Sequence, residues 1–239
     1  MRLGLGLGTG LALGGAWTPA KATGFNSGVF VALSREQGKL WQDSGKTTAA
    51  VADGDLVRVA TCPFSGVDFT APSDATRPTL RNSGNYWWLE YDGTDDTFGR
   101  TVALNQPYWA YAVGLVLAAS GTLFDGQTVN AGYCVRNGAD PTTFGIRAGV
   151  TLNSSNTVTA ANTVVAGGIF NGASSVIDLM GTYTTGNAGT TNLTAVTVGA
   201  RAGSPANRSN RLYAYCCGTG VMPVAERDLL RAYLAARAP

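Results

Sequence analysis

Histidine is absent from the 239 residues of this chain. That one absence removes the Ser-His-Asp triad, the Cys-His pair and every His-based metal site together. Charge is scarce as well: Lys, Arg, Asp and Glu make up 13% of the residues and leave a net charge of +2. The densest basic stretch, Arg201, Arg208 and Arg211, is spread through a loop of Gly, Ser, Asn and Pro. Nucleic-acid binding calls for a basic stripe or a reader motif, and the chain has neither. The four cysteines, Cys62, Cys134, Cys216 and Cys217, contain no Cys-x-x-Cys pair and no spacing that suits zinc. Cys216 and Cys217 are neighbours whose side chains leave a strand on opposite faces. The set reads as small buried apolar residues, with a disulfide as the alternative.

Apolar content is 45%, and 32 glycines accompany many Thr, Ser and Asn. This balance favours short strands joined by turns and is the reverse of a disordered chain. The length suits one large all-β domain.

The segment Leu3–Ala16 carries Leu3, Leu5, Leu7, Leu11 and Leu13 on one parity and Gly4, Gly6, Gly8, Gly10 and Gly14 on the other. That is a strand-like arm with one apolar and one bare face, and bare backbone invites close approach by another segment. The glycine spacing fails as a dinucleotide loop, and no strand precedes it. As a leader it has one Arg before its apolar run, and it is too short and glycine-laden to span a bilayer. The expected partner of the arm is either its own sheet or a neighbouring subunit.

Along the rest of the chain, strands are expected at 28–33, 56–60, 87–91, 132–136, 144–152, 162–170, 175–180, 195–200 and 212–217, with loop over 63–78. No charge falls between Thr101 and Phe124. Within that stretch, Pro107–Ala119 is too short for a membrane helix and reads as a central strand buried on both faces. Asn171-Gly172 signals a two-residue hairpin. One helix is expected over 223–237, with Pro223 in its first turn, Glu226 and Asp228 near its start, and an apolar stripe of Leu229, Leu230, Tyr233 and Leu234. The fold class is therefore all-β: a two-sheet antiparallel sandwich of the jelly-roll kind, with an arm (1–27) and a sandwich domain (28–239) closed by the C-terminal helix.

The order of several short landmarks resembles the concanavalin A-like, laminin G-like jelly-roll modules of bacteriophage particles and bacterial surface proteins. They are Gln42-Asp43-Ser44-Gly45-Lys46-Thr47-Thr48, Arg77-Pro78-Thr79-Leu80, Leu89-Glu90-Tyr91-Asp92-Gly93-Thr94-Asp95-Asp96, Gly168-Ile169-Phe170-Asn171-Gly172, Asn187-Ala188-Gly189 and Val198-Gly199-Ala200. Ala225-Glu226-Arg227 with Tyr233-Leu234 completes the order, over roughly residues 30 to 237. The stretch Arg58–Gly66 and the segment Asp178-Leu179-Met180 depart from the family pattern, so loops there are remodelled. The resemblance also implies that glucanase chemistry is possible on this fold. That chemistry needs paired carboxylates about 5–9 Å apart. Glu90 with Asp92 is the candidate pair, but the third carboxylate of the glucanase arrangement is replaced by Thr94 and Asp95 beyond a glycine turn.

Candidate ligand residues are Tyr86, Trp87, Asp92, Asp95 and Asp96. Asp92, Asp95 and Asp96 suit calcium as clustered oxygen donors, or they shape the turn by accepting backbone N–H bonds. Tyr86, Trp87 and Trp88 suit glycan stacking or packing, and alternation puts Trp87 and Trp88 on opposite faces. No other cofactor is expected. The function expected is a non-enzymatic bacteriophage virion structural protein: a capsid-decoration, head-fibre or tail-associated subunit. Its partners would be other virion proteins and further copies of itself. The alternative is a receptor- or glycan-binding module of a tail fibre or bacterial surface adhesin, with a host-surface glycan as partner.

Overall fold

The computed structural model describes residues 16–117, 121–126, 131–136, 140, 142–159, 162–201 and 210–239. The arm leucines Leu3, Leu5, Leu7, Leu11 and Leu13 lie outside the described residues. The strands form two sheets with every pairing antiparallel. Across the first sheet the order is β15 (Thr182–Gly186), β14 (Ser175–Leu179), β13 (Val164–Phe170), β8 (Tyr108–Val116), β17 (Asn210–Thr219), β6 (Tyr86–Tyr91) and β5 (Thr79–Ser83). A further strand, β1 (Phe25–Phe30), pairs with the C-terminal half of β17, while β6 pairs with its N-terminal end. The second sheet runs β12 (Thr151–Asn153), β11 (Phe144–Ala148), β10 (Ala131–Arg136), β9 (Gly121–Gly126), β16 (Leu193–Val198), β7 (Phe98–Leu104), β4 (Asp68–Thr70), β3 (Val59–Thr61) and β2 (Leu40–Trp41). The expected two-sheet antiparallel sandwich is the observed architecture. No helix among the described residues is long and apolar enough to cross a membrane.

Two apolar cores explain the uncharged run. Along β8, Tyr108, Ala110 and Ala112 point into the core between the sheets, and Trp109, Tyr111 and Val113 point into a second core on the outer face of the first sheet. Each large side chain so buried contributes about 1.5–3 kcal/mol. The second core is closed by helix α2 (Val224–Ala235), whose Leu230 and Leu234 enter it, together with Met222 and Phe30. The central strand is thus buried on both faces, as its composition suggests. Cys216 faces the outer core and Cys217 the inner one, and all four cysteines are free and buried.

Several expectations need correction. The strand expected over 28–33 ends at Phe30, and Val31–Glu36 forms a short helix, α1, that buries Val31 and Ser34. Gly38, at φ 65°, closes it by donating its N–H to the Arg35 carbonyl. Six residues are too few for apolar periodicity to separate helix from strand. The loop expected over 63–78 contains β4, and the strand expected over 144–152 breaks at Gly149, whose φ is 110°.

The two-residue hairpin at Asn171-Gly172 is replaced by a longer connection with a 3-10 turn at Gly172–Ser174. A type I′ turn needs positive φ at both central residues, and Asn171 sits at φ −150°. Ser175 Oγ accepts the Asn171 N–H, and Gln106 Oε1 accepts that of Gly172, which holds the longer path.

In α2, Pro223 is the cap rather than the first helical residue, and Glu226 accepts hydrogen bonds from the Thr23 N–H and hydroxyl. The buried positions are Arg227, Leu230 and Leu234, whereas Leu229 is 46% exposed. Successive helical residues are about 100° apart, so a stripe centred on Leu230 and Leu234 turns Leu229 out.

Candidate functional site

The sequence candidates fall into two separate places. Tyr86 and Trp87 begin β6, and the acidic turn follows its last residue. Six residues of strand put about 20 Å between Tyr86 and Asp92. A single small ligand cannot touch both ends.

At the turn, Gly93 adopts φ 84° and brings the carboxylates of Asp92, Asp95 and Asp96 within 4.8 Å of one another. The Asp92 N–H donates to Asp96 Oδ2 at 2.8 Å, and the Thr94 N–H donates to Asp92 Oδ1 at 2.7 Å. Asp95 enters the turn differently, through its carbonyl, which accepts from Thr97 Oγ1. Asp92 and Asp96 therefore shape the turn as backbone acceptors, and the Asp95 carboxylate stands exposed. Asp96 is only 5% exposed. Burial pushes its pKa up to about 6, against the lowering effect of the Asp92 N–H, with the charges of Asp92 and Asp95 adding to the rise. Three oxygen donors at this spacing suit a hard cation or a proton.

At the other end of β6, the two tryptophans take opposite faces as alternation requires. Trp87 turns to the inter-sheet side, half-buried, with the Arg35 guanidinium 3.8 Å from its ring centre. Trp88 turns outward and is 6% exposed, beneath the Arg211 guanidinium and beside Tyr213. Tyr86 packs half-buried against the outer core. Any sugar stacking on Trp87 would have to displace Arg35 from that face.

Glu90, the other half of the candidate acid pair, is engaged three ways. Its carboxylate lies 3.3 Å from Arg81 Nε, 3.5 Å from Arg211 Nε and 3.3 Å from Trp88 Nε1. The thiols of Cys134, Cys216 and Cys217 are pushed upward by burial and have little thiolate character. A hollow lined by Val116, Arg136, Phe144, Val158, Thr159 and Asn162 has an empty volume of about 160 Å³. That space is partly open solvent, and the enclosed part is too small to hold a water molecule.

One polar cluster was not legible in the sequence. Asp178 on β14 is 1% exposed, and Arg231 of α2 reaches it at 3.5 Å. Arg231 also donates to Asp228 and to the Tyr183 hydroxyl, which in turn donates to Asp228 at 2.6 Å. Arg227 lies over the Tyr183 ring at 4.4 Å. Burial raises the Asp178 pKa, while the Gly181 N–H, Arg231 and Arg227 oppose the rise. These groups fasten α2 to the sheet. Nothing in the local pattern around Asp178 announces a partner on a distant helix.

No family model matches the chain, and no curated protein matches it. Solved structures do. Trypanosoma rangeli sialidase matches at a TM-score of 0.54 and 10% identity, over 84% of this chain and 37% of that one. The same enzyme with 2,3-difluorosialic acid as a covalent intermediate gives 0.54 and 10%, over 77% and 32%. Its complex with sialic acid gives 0.51 and 10%, over 81% and 35%. This chain thus spans about a third of the sialidase chains it matches. At such identity the likeness is one of fold: an all-β arrangement of antiparallel sheets.

Proposed function

We propose that this chain is a non-enzymatic building subunit that works through its surface. The observation that carries the reading is how the described polar groups are spent. Glu90 is held by two arginines and a tryptophan, Asp178 by the helix it anchors, and Asp92 and Asp96 by backbone donors. Apolar side chains, by contrast, stand exposed on and beside α2. The edge of β5 is also covered: Gly54 N–H donates to the Leu80 carbonyl and Leu80 N–H to that of Asp55, so strand addition there is blocked. The order of sequence landmarks supports the finer placement, a bacteriophage virion protein such as a capsid-decoration, head-fibre or tail-associated subunit, with the Gly/Leu arm contributing subunit contacts. Deleting residues 1–16 tests it. The shortened protein is expected to be lost from purified particles, and its normal incorporation sinks the reading.

A second reading, a glycan-binding module of a tail fibre or surface adhesin, draws support from the acidic turn and from the fold shared with a sialidase solved with sialic acid. The separation of the two candidate patches sharpens its test. Glycan-array signal abolished by Asp95→Ala but untouched by Trp87→Ala would place binding at the turn, and the reverse would place it at β6.

A further inference from the structure

Met180 stands where a methionine is unusual. Leu179 pairs with Thr182, so Met180 and Gly181 form the two-residue connection from β14 to β15. Both have positive φ, 54° at Met180 and 93° at Gly181. Such a turn favours Asn, Asp or Gly, and a long side chain at this φ is uncommon. What Met180 gains there is a partner on β13. Its N–H donates to the Val165 carbonyl at 3.0 Å, and the Val165 N–H donates to Met180 Sδ at 3.1 Å. Residues facing each other in this way across antiparallel strands ordinarily exchange two N–H to carbonyl bonds. Here the thioether sulfur takes the place of the second carbonyl.

Exposure singles out the same residue. Among the described sulfur-bearing residues, Cys62, Cys134, Cys216, Cys217 and Met222 are 0% exposed, whereas Met180 is 50% exposed. A thioether needs no deprotonation before it reacts with a peroxide, so access decides which of these sulfurs is oxidised. The two lone pairs of a thioether lie on opposite faces of its C–S–C plane. At Met180 one face is held against the Val165 N–H and the β13 backbone, which leaves the other for a reagent.

We infer that Met180 is an oxidation site for hydroperoxides, converted to a single sulfoxide epimer with loss of the bond from the Val165 N–H. With hydrogen peroxide, the sulfur attacks one peroxide oxygen, and the S–O bond forms as the O–O bond breaks. Sulfur is oxidised by two electrons, and the released hydroxide takes the proton of the transferred oxygen and leaves as water. The oxygen is added on the face away from Val165, which fixes the configuration at sulfur. A sulfoxide sulfur carries partial positive charge and accepts poorly, so the Val165 N–H is left without its partner. The same turn carries the Gly181 N–H that Asp178 accepts at 2.9 Å, so the modification falls beside the group that anchors α2.

Peptide mass spectrometry of the folded full chain treated with hydrogen peroxide tests it. The peptide holding Met180 should gain one oxygen at least about tenfold faster than the peptide holding Met222, with the cysteines unchanged. The two methionine sulfoxide reductases, each specific for one epimer, then read the configuration on the proteolysed product. One of them should return the Met180 peptide to its original mass and the other should leave it oxidised. The same peptide oxidised after proteolysis should contain both epimers and answer to both enzymes. Amide hydrogen exchange on the intact oxidised protein should be at least about tenfold faster at Val165 than in the reduced protein. Met180→Leu should show neither the added oxygen in that peptide nor any change in exchange after peroxide. Both epimers in the folded protein would overturn the shielding by Val165, and unchanged exchange at Val165 would overturn the loss of its bond. Oxidation of Met222 or a cysteine at the same rate as Met180 would overturn the site itself.

Discussion

Asp178 and Asp96 are both acids withdrawn from water beside a turn, yet the groups gathered around them differ in sign. Asp178 sits beneath two arginines of α2 and accepts the Gly181 N–H. Asp96 has Asp92 and Asp95 within 4.8 Å and accepts the Asp92 N–H. In the first region a buried charge is matched by a distant element, and the match fastens that element in place. In the second, like charges are concentrated in one short turn, which makes it a place where a proton or cation gains by binding. A buried carboxylate alone thus says little about function, and its partners decide.

The largest effect is expected when Asp178 is stripped of its cation. Arg231→Met keeps the aliphatic stem against the sheet and removes the charge. Loss of one member of a buried pair typically costs 3–5 kcal/mol. Arg227 remains nearby and Asp178 can take up a proton, so about 3 kcal/mol is expected. Urea unfolding measures it, and a loss below about 1 kcal/mol would show that apolar contacts alone hold the helix.

The acidic turn should reveal itself through pH. The folded pKa of Asp96, about 6, lies above the ordinary aspartate value of 3.8, so the folded state binds this proton more tightly. Its stabilising contribution is fully present below about pH 4 and is lost as pH rises through 6. Asp178 is shifted in the same direction and adds to the slope. Asp96→Asn, which retains an acceptor for the Asp92 N–H, should therefore flatten the profile between pH 4 and 6 by about 1–2 kcal/mol. An unchanged slope would remove Asp96 as its source. Millimolar calcium is expected to leave the wild-type profile in place, because Asp92 and Asp96 each already spend an oxygen on a backbone donor. A profile moved to lower pH by calcium would mark the turn as a cation site instead.

Within the α2 cluster, Tyr183 links two charges of the helix, Asp228 and Arg231. Its hydroxyl donates to Asp228 and accepts from Arg231 Nη1. Tyr183→Phe leaves the ring under Arg227 and deletes those bonds, so a loss of about 1 kcal/mol is expected by thermal or urea unfolding. A loss near that of Arg231→Met would mean that the hydroxyl, rather than the ion pair, fastens the helix.

Much of this architecture can be read from residue order, and the misses share a cause. The buried strand β8 shows itself because both of its faces are apolar, and the opposed pairs Trp87/Trp88 and Cys216/Cys217 follow from the alternation of a strand. The acidic turn is visible through Asp92-Gly93. What escapes is whatever depends on distant partners or very short elements. The six residues of α1 carry too little periodicity. Leu229 belongs to a plausible apolar stripe until Arg227 is found in the buried position, drawn there by Tyr183 and Asp178. Asn171-Gly172 has the residues of a tight hairpin, but Ser175 and Gln106 offer its N–H groups other acceptors. No local pattern pairs Asp178 with Arg231.

The smallest expected effect is at Asp95, and it separates the two roles left to the turn. Asp95 lends its carbonyl to Thr97, while its exposed carboxylate adds a negative charge beside Asp96. Asp95→Ala keeps the carbonyl and removes the charge. If the turn is purely structural, the repulsion on Asp96 eases and stability at pH 7 rises by at most about 0.5 kcal/mol, the scale of exposed charge interactions. The Asp96 titration midpoint, followed by carboxyl NMR, should move down with it. If the turn holds a cation, the same substitution removes one of three oxygen donors, and any stabilisation by calcium should shrink. One variant measured with and without calcium therefore gives opposite signs for the two roles. Asp178 offers no such ambiguity, since Arg231 already occupies the place a cation would take.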